Sequence, residues 1–319
     1  MTFIASVIAR DGVAVIADSL VTSSKQVIEL NDFLKFVESK TNGATEIPIT
    51  VEELYQLFRS KDSHTKDYEE KLFQYDKYTA VTTAGNAIIN KKRIREIIES
   101  KVLLNEQAKL EYEKLSIHEK LLDFCEYIEN ELKNHLNNEY SVGRTIFIIT
   151  HFDKESKKTV IYKIETNECT KDDLNNIGFK FVNIPEPETF KVVCDGQNRI
   201  SENILFGGIG NMYQVTVSTI RKIKNDFKLG DELINTEYIN SVIKEVMPLI
   251  DDDIHITKLS ELSLQQAVDL ASLLMKIEID FQKYTTNIPT VGGVIKIATI
   301  NKDGFKFVSG NEIIKPKIM

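Results

Sequence analysis

The strands of this chain come in pairs, and that pattern constrains its fold more than any other feature. Thr2–Ala9 and Val13–Ala17 are apolar, β-branched runs on either side of an Asp11-Gly12 turn. Leu72–Tyr75 and Tyr78–Thr83 flank Asp76-Lys77, and Arg144–Thr150 and Thr159–Ile164 flank Phe152–Lys157. Gly293–Ile300 and Phe305–Val308 close the chain around Asn301–Gly304. Helical spacing comes in blocks between these pairs: Ala87–Lys101 with Asn86 as its cap, then 104–138, then 211–227, 236–249 and 260–283. A lone strand, Phe190–Cys194, precedes a helix beginning near Asn198. Hairpins build antiparallel sheets, and helices arriving in blocks cover their outer faces. The order predicts an α+β fold, a four-layer α-β-β-α sandwich of two mainly antiparallel sheets, in one domain over 1–319. Residues 23–70 break the pattern. They are polar, carry helical spacing near Ile28–Val37 and Val51–Arg59, and end in a charged run, Ser60–Glu70. They read as an inserted surface excursion.

Composition narrows the function classes. Hydrophobic residues make up 42% and charged residues 28%, enough for a large core. A net charge of −8 with no basic stripe argues against a nucleic-acid partner. Cys125, Cys169 and Cys194 are odd in number and far apart, which fits a reducing compartment, or at most one bridge. No apolar run reaches the roughly eighteen residues that span a bilayer, and no leader pattern is present, so a cytoplasmic protein without a membrane partner is expected.

Several residue patterns carry no chemistry. His64, His118, His135, His151 and His255 have no metal-ligand spacing. Asp251-Asp252-Asp253 reads as an exposed turn after a helix. Gly207-Gly208-Ile209-Gly210 lacks the lysine that a phosphate loop requires. No Gly-x-Ser-x-Gly occurs. Neither a cofactor nor a metal is expected.

Thr2 is the informative residue. A threonine hydroxyl is a poor nucleophile without an adjacent base, and the α-amine of a chain that begins with threonine is such a base. That amine titrates near neutrality. Initiator methionine is normally removed before a small second residue, so Met1-Thr2 permits this chemistry.

The surrounding residues strengthen the reading. The run from Thr2 to Thr22 resembles the opening of proteasome β-type subunits and of the bacterial heat-shock-locus peptidase, with Asp18-Ser19 sixteen residues after Thr2. Lys71-Leu-Phe-Gln-Tyr-Asp-Lys-Tyr-Thr-Ala-Val-Thr-Thr-Ala-Gly85 resembles the catalytic-lysine and oxyanion-glycine strands of the same N-terminal-nucleophile (Ntn) hydrolases, again at the family spacing of fourteen. The resemblance implies residue roles. Thr2 is the nucleophile, Lys71 supplies positive charge beside it, Asp18 pairs with Lys71, and the Gly85 N–H donates to the oxyanion. Val21, Thr22 and Thr83 line the substrate cleft, Thr22 through its backbone. The resemblance is specific over 2–22 and 71–87.

Two departures mark a divergent bacterial branch. Cys194-Asp195-Gly196 stands where the family has Gly-Ser-Gly, which makes Asp195 a substitute partner for the amine. Thr290-Val291-Gly292-Gly293-Val294 resembles the entry to a late strand but lacks the Asp and Ser expected before its glycines. The expected function is a threonine peptidase acting on a peptide or other amide and assembling as a homo-oligomer. A small-molecule amidase on the same fold is a weaker option. The alternative from another class is a catalytically silent proteasome-like assembly or binding protein.

Overall fold

The structure, a computed structural model, describes residues 2–41, 49–50, 53–54, 56–66, 69–206, 209–230, 234–251, 259–285 and 289–308. The chain opens with the hairpin β1 (Phe3–Ala9) and β2 (Gly12–Ala17), paired from Ile4↔Ala17 to Ala9↔Gly12. Then come β3 (Val21–Val27), α1 (Leu30–Thr41) and β4 (Arg59–Lys66). β5 (Leu72–Asp76) and β6 (Thr79–Gly85) form the next hairpin. A short hairpin, β7 (Ile88–Ile89) and β8 (Lys92–Arg93), leads into α2 (Ile94–Gln107) and α3 (Ile117–Asn138). β9 (Ser141–Val142) precedes the hairpin β10 (Thr145–Asp153) and β11 (Lys158–Glu165), followed by β12 (Cys169–Thr170) and β13 (Val192–Gly196). Helices α4 (Arg199–Phe206), α5 (Ile209–Asp226), α6 (Thr236–Asp251) and α7 (Leu264–Gln282) precede the last hairpin, β14 (Lys296–Asn301) and β15 (Gly304–Phe307).

The result is a mixed α+β structure with two main antiparallel sheets, ordered β13-β1-β2-β14-β15 and β11-β10-β6-β5. Its apolar side chains fall into three buried clusters. One joins the two sheets: Ile4, Val13 and Val15 meet Ala80, Ala84, Ile148 and Ile161. A second packs Phe3, Val7 and Ile16 against Ala271, Leu274 and Met275 of α7. The third packs Val81, Phe147 and Ile149 against Ile97, Phe124, Ile128 and Leu132 of α2 and α3. Both faces of β1 and β2 are therefore covered, which is why these strands read as continuous apolar runs and not as alternating ones. Each large side chain buried here contributes about 1.5–3 kcal/mol. Capping boxes Ser116/Glu119 and Ser263/Gln266 start α3 and α7, and Asp11 in the first turn accepts the Leu264 N–H.

Two local expectations fail. The helix expected over Ala87–Lys101 begins only at Ile94. Asn90 and Lys91 adopt positive φ, the geometry of a tight hairpin turn, and Ile89 is fully buried. The Asn90 N–H donates to His135, which fixes the turn, and Asn86 caps nothing: its amide donates to Gly143 O and Thr145 Oγ1. Within 23–70, the helical spacing near 28–37 is α1, which has no buried residue. The charged run after Arg59 is strand β4, paired with β3 from Val21↔Lys66 to Val27↔Arg59. Backbone pairing overrides side-chain composition there. Of the helical spacing at 51–59, residues 53–54 are helical, and 51, 52 and 55 lie outside the described residues.

Candidate active site

Thr2 heads β1 and is buried, 4% exposed. Its carbonyl accepts the Gln197 N–H at 2.5 Å. Gly196 is at φ +89°, and a Cβ there would lie 1.8 Å from Thr2 O, so this register tolerates only glycine. The end of β13 thus clamps the start of β1.

Asp18 leaves the end of β2 and is the polar hub. Its Oδ1 accepts the Phe3 N–H at 3.1 Å and Lys71 Nζ at 3.0 Å. Its Oδ2 accepts the Leu20 N–H at 3.2 Å and the Gly292 N–H at 3.0 Å. Lys71, just before β5, also donates to Leu20 O at 2.6 Å. The Asp18 side chain is fully buried and that of Lys71 is 7% exposed. Burial pushes the Asp18 carboxyl up, against the pull of Lys71 and the backbone donors. Burial likewise pushes the Lys71 ammonium down, against Asp18 and Glu69. A buried charge without such partners would not persist.

Gly85 ends β6 at φ +107°, where a Cβ would lie 2.4 Å from Arg144 O. Its neighbour Thr83 donates its N–H to Lys71 O at 3.1 Å, tying β6 to the lysine. These elements enclose a cavity of about 240 Å³ lined by Thr2, Val21, Lys71, Thr83 and Gly85, together with Glu69 and Asn86. Asp18 stands behind the wall, bonded to Lys71.

Asp195 is placed differently. It lies opposite Ile4 on β13, accepts the Gly196 N–H and forms an ion pair with Lys163 of β11. Lys163 continues to Glu165, and Glu165 to Arg144. Asp195 is not among the cavity residues. Thr22 pairs with Thr65 in the β3–β4 ribbon, and its side chain lies outside the described atoms. Cys194 is a buried core residue whose thiol burial pushes up to about 12.

Sequence reasoning missed four participants. Glu69 and Asn86 line the cavity, Gly292 donates to Asp18, and Gly196 clamps Thr2. Only the two glycines left a trace, as glycines closing apolar segments. Among the described residues no group of three or more His, Cys, Asp or Glu is placed to hold a metal ion, and no helix is long and apolar enough to cross a membrane. Gly207, Gly208 and His255 lie outside the described residues.

No family model matches the chain, and no curated protein matches it.

Proposed function

We propose that the chain is an N-terminal-threonine amide hydrolase, a threonine peptidase on a proteasome-like Ntn fold, with Thr2 as its first residue after removal of Met1. One observation carries this reading: Thr2, the buried Asp18–Lys71 pair and Gly85, which are distant in sequence, meet at one small cavity. The three covered layers of apolar packing support the four-layer sandwich.

The chemistry follows from the groups. Thr2 Oγ attacks the substrate carbonyl carbon while its proton passes to the Thr2 α-amine. Lys71 uses two donors on Asp18 and Leu20 and keeps positive charge beside the nucleophile, favouring the deprotonated hydroxyl. The Gly85 N–H donates to the oxyanion, a contribution of about 10²–10³ in rate. The amine then protonates the leaving nitrogen as the C–N bond breaks, which leaves an ester on Thr2. Water, deprotonated by the same amine, attacks that ester, releases the acid and restores the hydroxyl. Homo-oligomeric assembly and a cytoplasmic setting belong to the same proposal.

One observation favours the silent reading. Asp195, the substitute for the missing serine, is engaged by Lys163. Turnover decides between the two. Fluorogenic peptide amides are expected to be cleaved by the wild type, and Thr2→Ala and Lys71→Ala to be inactive while still folded. Activity retained in Thr2→Ala sinks the hydrolase.

A further inference from the structure

The oxyanion donor sits at the least supported point of its strand. Gly85 is the last residue of β6 and the one exposed position in an otherwise buried strand. It is also the final rung of the ladder to β10, where it faces Thr145. It has no side chain, and its φ of +107° lies where glycine keeps wide freedom. A donor that works by preorganisation loses much of its effect when displaced by about an ångström. The next residue supplies a restraint. Asn86 lines the same cavity, and its Nδ2 donates to Gly143 O and, at 3.3 Å, to Thr145 Oγ1. These two acceptors bracket Arg144, whose carbonyl would lie 2.4 Å from a Cβ on Gly85. The anchor is firm. Thr145 is fully buried, its N–H donates to Thr166 Oγ1, and its carbonyl accepts the Thr166 N–H, both at 2.9 Å.

We infer that Asn86 is the positioning residue of the oxyanion site, stapling the end of β6 at Gly85 to the start of β10 through Gly143 and Thr145. The inference rests on the hydrolase reading. Both hydrogens of the carboxamide are taken by these acceptors, so Asn86 acts through Gly85 and not on the substrate. Without the staple the ladder end frays, and the Gly85 N–H leaves the place where negative charge develops. A bound amide, with little charge on its carbonyl oxygen, feels this far less than the tetrahedral state does.

Two inhibitors with the sequence of a cleaved peptide amide separate positioning from folding. The peptide aldehyde takes Thr2 Oγ on its carbonyl carbon and becomes a hemiacetal, whose oxygen occupies the oxyanion's place. The corresponding alcohol cannot react. Asn86→Ala is expected to lower kcat about 10–100-fold with KM little changed. It should raise the aldehyde Ki about tenfold and leave the alcohol Ki at the wild-type value. Thr145→Val keeps the shape and removes only the longer of the two bonds, so the aldehyde Ki should rise about threefold. Thr145→Ser restores the hydroxyl and should recover that loss. Added to Asn86→Ala, Thr145→Val should cause no further rise. Aldehyde and alcohol affinities that fall together, or an aldehyde Ki unmoved by Asn86→Ala, overturn the inference, while wild-type turnover leaves the hydrolase standing. A wild type with Thr2 freed that cleaves no peptide amide overturns both.

Discussion

Two lysine–aspartate pairs flank the start of β1, and they are built on different terms. Asp18–Lys71 lies under the cavity, with the carboxylate fully buried and four N–H groups converging on it. Asp195–Lys163 lies on the other side of β1, with the lysine side chain 26% exposed and in further contact with Glu165. The two lysines respond in opposite directions. Burial depresses Lys71 despite Asp18. At Lys163 burial also works downward, but the bonds to Asp195 and Glu165 outweigh it and raise the ammonium. A buried pair makes each charge depend on the other, whereas a rim pair in a network has alternatives.

The largest effect expected from breaking this contrast is at Asp18. Asp18→Asn leaves the Lys71 ammonium buried without its hydrogen-bonded counter-charge and is expected to cost about 3–5 kcal/mol by denaturant melting. Adding Lys71→Met should recover most of that loss, because the orphaned charge is gone. Asp195→Asn is expected to cost only about 1 kcal/mol, since Lys163 keeps Glu165 and solvent. Equal costs at the two aspartates would abolish the distinction. The smallest expected effect is on pH dependence. The mechanism needs Lys71 protonated, and its proton is lost as pH rises through its folded pKa. Because that value is depressed, the alkaline limb of kcat/KM should fall below 10.5, the ordinary lysine value. A limb set by Lys163 would lie above it.

Much of the strand order was legible because hairpins leave short-range signals. Asp11-Gly12 sits in the first turn, and the flanking runs pair as β1 and β2. Asp18 stood out because a charge ending an apolar run must find partners. Those partners were not legible: the Phe3, Leu20 and Gly292 N–H groups come from three places, one of them 274 positions away. The β7–β8 hairpin escaped because its signal is two residues at positive φ, Asn90 and Lys91, inside a stretch with helical spacing. The ribbon of β3 and β4 escaped because its pairing is backbone-made between polar sequences. Glu69 looked like one more surface acid, and only the fold buries its Oε1.

Intact mass of the purified full chain, before and after a peptide epoxyketone, tests the central claim most directly. The account predicts a chain lacking Met1 that gains one probe mass on Thr2, with no gain in Thr2→Ala. A chain that keeps Met1, or a freed Thr2 that stays unlabelled by the probe, would contradict it.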